Sequence, residues 1–138
     1  MFVTKMNTNL KILLIEDDAD DIELLEEAFR VNGIDYSIEI ITEGDKVAPF
    51  VSAAKDLPEV IVLDFNLPRV HGKEILKMLK SSSRFSEIPV IVLTTSAAKE
   101  DVEYALTMGA DHFITKPTSL DGFTNAVNTI AGSVKKNK

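Results

Sequence analysis

The sequence predicts an α/β fold: a doubly wound, five-stranded parallel sheet built from five successive βα units, (βα)5. Three observations carry this. Five short segments rich in Ile, Leu and Val alternate along the chain with five amphipathic stretches. Four of those strand segments are nearly continuous apolar runs, the pattern of parallel strands covered on both faces. No linker or low-complexity block interrupts the alternation, so the 138 residues read as one domain, 1–138, with a core from about 10 to 132 between short flexible tails.

The elements follow in order. "KILLIE" (11–16) is the first strand. In "DDIELLEEAFRVNG", Ile22, Leu25 and Phe29 share a helical face, and Gly33 ends the helix. "SIEII" (37–41) alternates apolar and polar residues and fits a sheet edge. "DKVAPFVSAAK" is a weaker helix, because Pro49 belongs in a first turn. "VIVLDF" (60–65) is the third strand, and "KEILKMLK" follows with Ile75, Met78 and Leu79 on one side. "KSSSRFSEIP" (80–89) reads as a polar loop. "VIVLT" (90–94) is followed by "KEDVEYALTMGA", with Val102, Ala105 and Met108 inward and Gly109 as its stop. "HFIT" (112–115) precedes "TSLDGFTNAVNTIAGSV", whose stripe is Leu120, Phe123, Val127, Ile130 and Val134. Thr118 is placed to cap that last helix, with Asp121 three residues on. Parallel strands joined by helices require right-handed crossovers and helices on both faces. The Met and aromatic positions within the helices read as core.

Composition narrows the function. The 22 acids outweigh 15 lysines and arginines, a formal net charge of −7. Such a surface repels phosphate backbones, which argues against direct nucleic-acid binding, and the short basic tail "KKNK" (135–138) does not reverse this. No apolar run approaches the roughly 18 residues of a membrane span. The opening "MFVTKMNTNLK" lacks the apolar core and cleavage site of a signal peptide. With no cysteine there is neither a disulfide framework nor a thiolate metal site. A cytoplasmic protein is the expectation, with no membrane partner.

In open α/β sheets ligands bind beyond the carboxyl ends of the strands. The first strand ends in Glu16-Asp17-Asp18, the third in Asp64, the fourth in Thr94-Thr95-Ser96 and the fifth in Thr115-Lys116-Pro117. A parallel sheet gathers these groups on one edge. Carboxylates so placed repel unless a cation lies between them. All-oxygen ligands favour Mg²⁺, or Mn²⁺, an ion usually completed by phosphate. The lysine and a threonine hydroxyl then suit a phosphoryl group. An aspartate carboxylate can attack phosphorus and form an aspartyl-phosphate. Asp64, alone at its strand end, is the candidate nucleophile.

In combination, "LLIEDD", "LDFNLPRVHG", "VIVLTTS" and "FITKP", each at a strand end, resemble the response-regulator receiver domain of two-component signalling. The likeness runs over residues 10 to 132 or so and points to a stand-alone, single-domain member. It implies a flavodoxin-like fold with strand order 2-1-3-4-5. It implies that Asp64 is the phosphoacceptor from the phosphohistidine of a sensor histidine kinase or histidine phosphotransfer protein. Asp17, Asp64 and the Asn66 backbone carbonyl would hold the metal, with Glu16 acting through water. Asp18, one position beyond the acidic pair, is left a helix-capping role. Thr94 and Lys116 would bind phosphoryl oxygens, and Lys116–Pro117 would be a cis peptide. Phe113 stands at the aromatic switch position, where a ring turns inward as the threonine moves. The readout surface would be the fourth helix, fifth strand and fifth helix, including Tyr104. That surface would serve an unknown downstream protein or a homodimer. Asn66 and Ser96 would tune water access. The chain stops after the fifth helix, so output would be protein binding or phosphorelay. The longer "SSSRFSEIP" stretch is similar to that of stand-alone regulators paired with bacterial phytochromes and other sensor kinases. His71 stands where an acid or small polar residue is usual.

Two other function classes were weighed. An aspartate-nucleophile phosphatase needs an acid two residues after its nucleophile, where this chain has Asn66. A degenerate adaptor would have lost Asp64, Thr94 or Lys116, and all are present. Asp20 and Asp21, with Asp18, read as first-turn acids that complement a helix dipole. His71 and His112 have no ligand-spaced partner. Neither GxxxxGK[ST] nor GxGxxG occurs.

Overall fold

The computed structural model describes residues 9–134, and both expected tails, including the KKNK stretch, lie outside them. The elements are β1 (Leu10–Ile15), α1 (Ala19–Val31), β2 (Tyr36–Ile41), α2 (Val47–Ala53), β3 (Val60–Leu63), α3 (Gly72–Ser81), β4 (Val90–Thr94), α4 (Lys99–Thr107), β5 (His112–Thr115) and α5 (Leu120–Gly132). A 3₁₀ turn, Gly44–Lys46, leads into α2, and Pro49 falls in that helix's first turn. All strand pairs are parallel, in the order β2-β1-β3-β4-β5. This is the doubly wound sheet expected, with alternating β2 on an edge.

Strand side chains alternate between two cores. Leu13, Ile15, Ile61, Leu63, Val90 and Val92 face α2, α3 and α4 through Val47, Val51, Ile75, Leu76, Leu79 and Ala105. Ile12, Leu14, Val60, Val62, Ile91 and Leu93 face α1 and α5 through Leu25, Phe29, Phe123, Val127 and Ile130. The three central strands are buried on both sides, which is why they read as unbroken apolar runs.

Local chemistry sets the ends. The Asp18 carboxylate caps α1 by accepting from the Asp21 amide at 3.1 Å. Gly33, at φ 69, turns the chain out of α1 in a left-handed conformation suited to glycine. His71 caps α3, its Nδ1 accepting from the Lys73 amide at 3.0 Å. At the start of α3, a Cβ on Gly72 would lie 2.4 Å from Phe65 Cα and 2.6 Å from the Asp64 carbonyl oxygen. Only glycine lets this helix approach the end of β3.

Four expectations are corrected. The cap of α5 is Ser119, not Thr118: its hydroxyl accepts from the Gly122 amide at 3.3 Å, because the helix begins one residue later, at Leu120. Leu120 falls on the apolar stripe but sits at the open first turn and is 37% exposed. The "KSSSRFSEIP" loop is not merely polar. Phe85 is fully buried within it, and Arg84 and Lys80 donate to the carbonyls of Val51, Ala54, Ser86 and Ile88. No peptide among the described residues is cis, so Lys116–Pro117 is trans. Trans is the intrinsically preferred isomer of an X–Pro bond. The Pro117 ring fits here because Gly122 presents no side chain: a Cβ there would meet Pro117 Cβ at 2.4 Å.

Candidate functional site

The sheet ladder itself delivers the site residues. Glu16, Asp64 and Lys116 each stand one residue past their strands, yet each amide still donates to the neighbouring strand. Glu16 N reaches Ile41 O at 3.0 Å, Asp64 N reaches Ile15 O at 3.0 Å and Lys116 N reaches Thr94 O at 2.8 Å. Their backbones are therefore fixed as firmly as the strands, while their side chains project past the sheet edge.

Carboxylate oxygens of Glu16, Asp17 and Asp64 lie within 4.8 Å of one another. Glu16 and Asp64 are buried, whereas Asp17 is open to solvent. Glu16 also accepts from the Asp18 amide at 3.1 Å, which fixes its direction. Burial pushes the Glu16 carboxyl up to about 7, and the charge on Asp64 adds to the rise. Asp64 is held at both oxygens. Oδ1 accepts from the Asn66 amide at 3.0 Å, and Oδ2 accepts from Lys116 Nζ at 3.1 Å.

Lys116 is the counter-charge, its side chain only 7% exposed. Its ammonium lies 3.0 Å from Glu16, 2.7 Å from Asp21 and 3.1 Å from Asp64. Burial works against the ammonium, but hydrogen bonds to Asp21, Glu16 and Asp64 outweigh it and raise the group above its ordinary value. Asp21 is the residue that sequence reasoning missed as a site contact. In the sequence it is one more first-turn acid. Only the packing of α1 beside α5, which sets the β5–α5 loop over that turn, reveals it.

Thr94 is fully buried at the end of β4. The Asn66 side-chain amide donates to the hydroxyls of Thr94 at 3.3 Å and Thr95 at 3.2 Å. Ser96 is turned away from the acids: its hydroxyl donates to Asp101 at 2.5 Å. Asp101 also pairs with Lys73 at 2.6 Å, and Tyr104 donates to the Lys73 carbonyl at 3.1 Å, so α3 and α4 are tied together. The bond from Lys73, then that from Ser96, lowers the Asp101 carboxyl below its ordinary range. Phe113 is half-buried and stands edge-on to Phe65, with ring centres 6.0 Å apart. Phe65 in turn lies 5.9 Å from the His71 ring. The structure thus joins Glu16, Asp17, Asp64, Asn66, Thr94 and Lys116 at one edge. Phe113 sits on the α4 side of the sheet, and His112 takes no part.

Comparison with known proteins places this geometry. The model of the response regulator receiver domain matches residues 12–128. The chain belongs to that family. Among curated relatives, this receiver is 32% identical to the response regulator Rcp1 of Synechocystis, across 86% of this chain and 84% of Rcp1. It is 35% identical to the transcriptional regulatory protein RprY of Bacteroides fragilis, across 96% of this chain but only 55% of RprY. Of the solved structures, the phosphorylated cyanobacterial phytochrome response regulator RcpA superposes with a TM-score of 0.81 at 30% identity, covering 89% of this chain and 91% of RcpA. Mn²⁺-bound Rcp1 gives 0.80 at 29% identity, covering 93% and 96%. Receivers of this family are phosphorylated by histidine kinases and bind Mg²⁺ or Mn²⁺ at an acidic pocket, and this chain carries a Glu/Asp/Asp group of that kind. No helix among the described residues is long and apolar enough to cross a membrane.

Proposed function

We propose that this chain is a single-domain, phosphorylation-controlled signalling switch in which Asp64 takes a phosphoryl group from the phosphohistidine of a sensor histidine kinase or a histidine phosphotransfer protein. The observation that carries this reading is the convergence of buried Asp64 with Glu16, Asp17, Thr94 and Lys116 at one sheet edge. In the reaction, an Asp64 carboxylate oxygen attacks phosphorus as the P–N bond of the donor breaks. The electron pair stays with the imidazole nitrogen, which then takes a proton. Lys116 offsets charge on one phosphoryl oxygen, and the Thr94 hydroxyl donates to another.

The donor set fits a divalent cation. Three carboxylates lie close enough to share one ion, and the raised Glu16 carboxyl marks the repulsion such an ion would relieve. Asp17, Asp64 and the Asn66 carbonyl would hold Mg²⁺ or Mn²⁺, with Glu16 acting through water. Bound there, the ion neutralises carboxylate charge and polarises phosphoryl oxygens. Asn66 and Ser96 tune water access to the aspartyl-phosphate. Thr94 and Phe113 relay the change to the surface of α4, β5 and α5, where exposed Leu106 supports docking of a downstream protein or a second copy. The protein works in the cytoplasm, on protein partners rather than nucleic acid or membrane, and not as a turnover enzyme.

The test uses a small phosphodonor and intact-mass measurement. Wild type should gain one phosphoryl group only with Mg²⁺, and Asp64→Asn should gain none. Stoichiometric labelling of Asp64→Asn would sink the assignment.

The Glu16 carboxyl gives a pH signature. Its folded value of about 7 lies above the ordinary 4.5. The folded state therefore holds the extra proton between those values, and the metal-free protein loses stability as pH rises through about 7. Mg²⁺ binding needs the carboxylate, so the rise in unfolding temperature on adding Mg²⁺ should be larger at about pH 8 than at about pH 5.5. An equal rise at both would show that Glu16 is not coupled to the ion.

A further inference from the structure

We propose that Asp21 is a positioning residue that competes with the phosphoryl group for Lys116, and so sets how tightly the phosphorylated state is held. The inference rests on the reading of Asp64 as phosphoacceptor.

The argument begins with donor number. An ammonium has three N–H bonds and no acceptor. Lys116 faces three carboxylates, and the shortest contact, 2.7 Å, is to Asp21, against 3.0 Å to Glu16 and 3.1 Å to Asp64. The three differ in burial. The Glu16 and Asp64 side chains are 3% and 4% exposed, whereas that of Asp21 is 22% exposed. A buried carboxylate that loses its counter-charge is left unpaired at high cost, but a partly wet one exchanges the ammonium for water. Asp21 is therefore the partner that Lys116 can leave.

A phosphoryl group on Asp64 brings new anionic oxygens to the atom Lys116 already touches. The ammonium must then move outward or divide its charge among more acceptors. Asp21 opposes this from the α1 side. It is held there by the N-terminal turn of α1, whose Asp21 amide is itself engaged by the Asp18 cap. The carboxylate is thus a fixed rival, acting on the phosphoryl group only through Lys116.

Asp20 supplies the control. It is the adjacent acid in the same first turn, is exposed, and has no bond to Lys116. Asp20→Asn removes the same charge from nearly the same place without touching the lysine. The experiment titrates beryllofluoride, a phosphoryl mimic, at saturating Mg²⁺ into wild type, Asp21→Asn, Asp21→Glu and Asp20→Asn, with Mg²⁺ affinity measured separately. Asp21→Asn should tighten beryllofluoride about three- to tenfold. Asp20→Asn should stay within about twofold of wild type, Asp21→Glu should return most of the way to it, and Mg²⁺ affinity should move little. Equal tightening in Asp20→Asn would mean bulk charge, and overturns the proposal. So would unchanged or weaker binding in Asp21→Asn, since Asp21 would then be irrelevant or would be aiming Lys116 at the phosphoryl group. Failure of wild type to bind beryllofluoride with Mg²⁺ would remove the phosphoacceptor reading itself, an outcome separable from the others.

Discussion

Replacing Lys116 with methionine should lower the unfolding free energy by about 3–5 kcal/mol at about pH 8 in metal-free buffer, because it strands two buried carboxylates. Glu16 and Asp64 lie 3.0 and 3.1 Å from the ammonium and are almost completely enclosed. Methionine restores the packing volume but none of the charge. The deficit should depend on pH with a definite sign. Without the lysine, the Glu16 carboxyl moves further above its present value of about 7. The folded variant then holds protons that the unfolded chain has released, so its stability falls as pH rises. The deficit is therefore smallest in mild acid, where protonation removes the stranded charge. Mg²⁺ should recover part of the loss at about pH 8 by replacing one cation with another. Denaturant unfolding at two pH values, each with and without Mg²⁺, would check this. A pH-independent loss would show that the lysine's stem, and not its charge, supports the site.

Gly72→Ala should cost about 2–3 kcal/mol and should also slow phosphoryl uptake by roughly ten- to a hundredfold. The added Cβ would fall 2.4 Å from Phe65 Cα and 2.6 Å from the Asp64 carbonyl oxygen, both backbone atoms that cannot rotate aside. Relief requires α3 and the end of β3 to separate, which displaces the nucleophile. Gly44→Ala separates the two effects. Its Cβ would meet Val70 O at 2.5 Å, an equally tight contact in the neighbouring loop, away from Asp64. That variant should lose comparable stability while taking up phosphoryl at near wild-type rate. If both slowed uptake alike, general loosening rather than displacement of Asp64 would be the cause.

Much of this was readable before any coordinates. The unbroken runs of Val60–Leu63 and Val90–Thr94 announced strands covered on both faces, and alternating β2 announced an edge. The rule that ligands gather beyond strand ends then selected Glu16, Asp64, Thr94 and Lys116. What escaped depends on packing between distant segments. Asp21 looks like any dipole-complementing acid until the β5–α5 loop is laid over it. Phe85 sits in a polar stretch with no periodicity around it, so nothing local says that it is buried. The shift of the α5 cap from Thr118 to Ser119 is a choice between two adjacent hydroxyls, which the backbone decides. Arg69 adopts a φ of 78, a conformation that the sequence Pro-Arg-Val hides.

The weak anchoring of α4 has a consequence for how far a small chemical event can reach. That helix buries a single residue, Ala105, whereas α3 buries four and α5 buries four. The sheet beneath it is clamped, since Lys116 still donates to Thr94 across the last rung. Any pull on the Thr94 hydroxyl is therefore not absorbed by the strands and is felt first at Thr95 and Ser96, where the ladder ends. Beyond them lies the element with the least apolar surface to tear away. Local stabilities within one fold range from almost nothing to the global value, and moving parts are drawn from the low end. The molecule is thus a rigid anvil carrying one lightly seated lever, and a few kcal/mol of new contacts at Asp64 are enough to tip it.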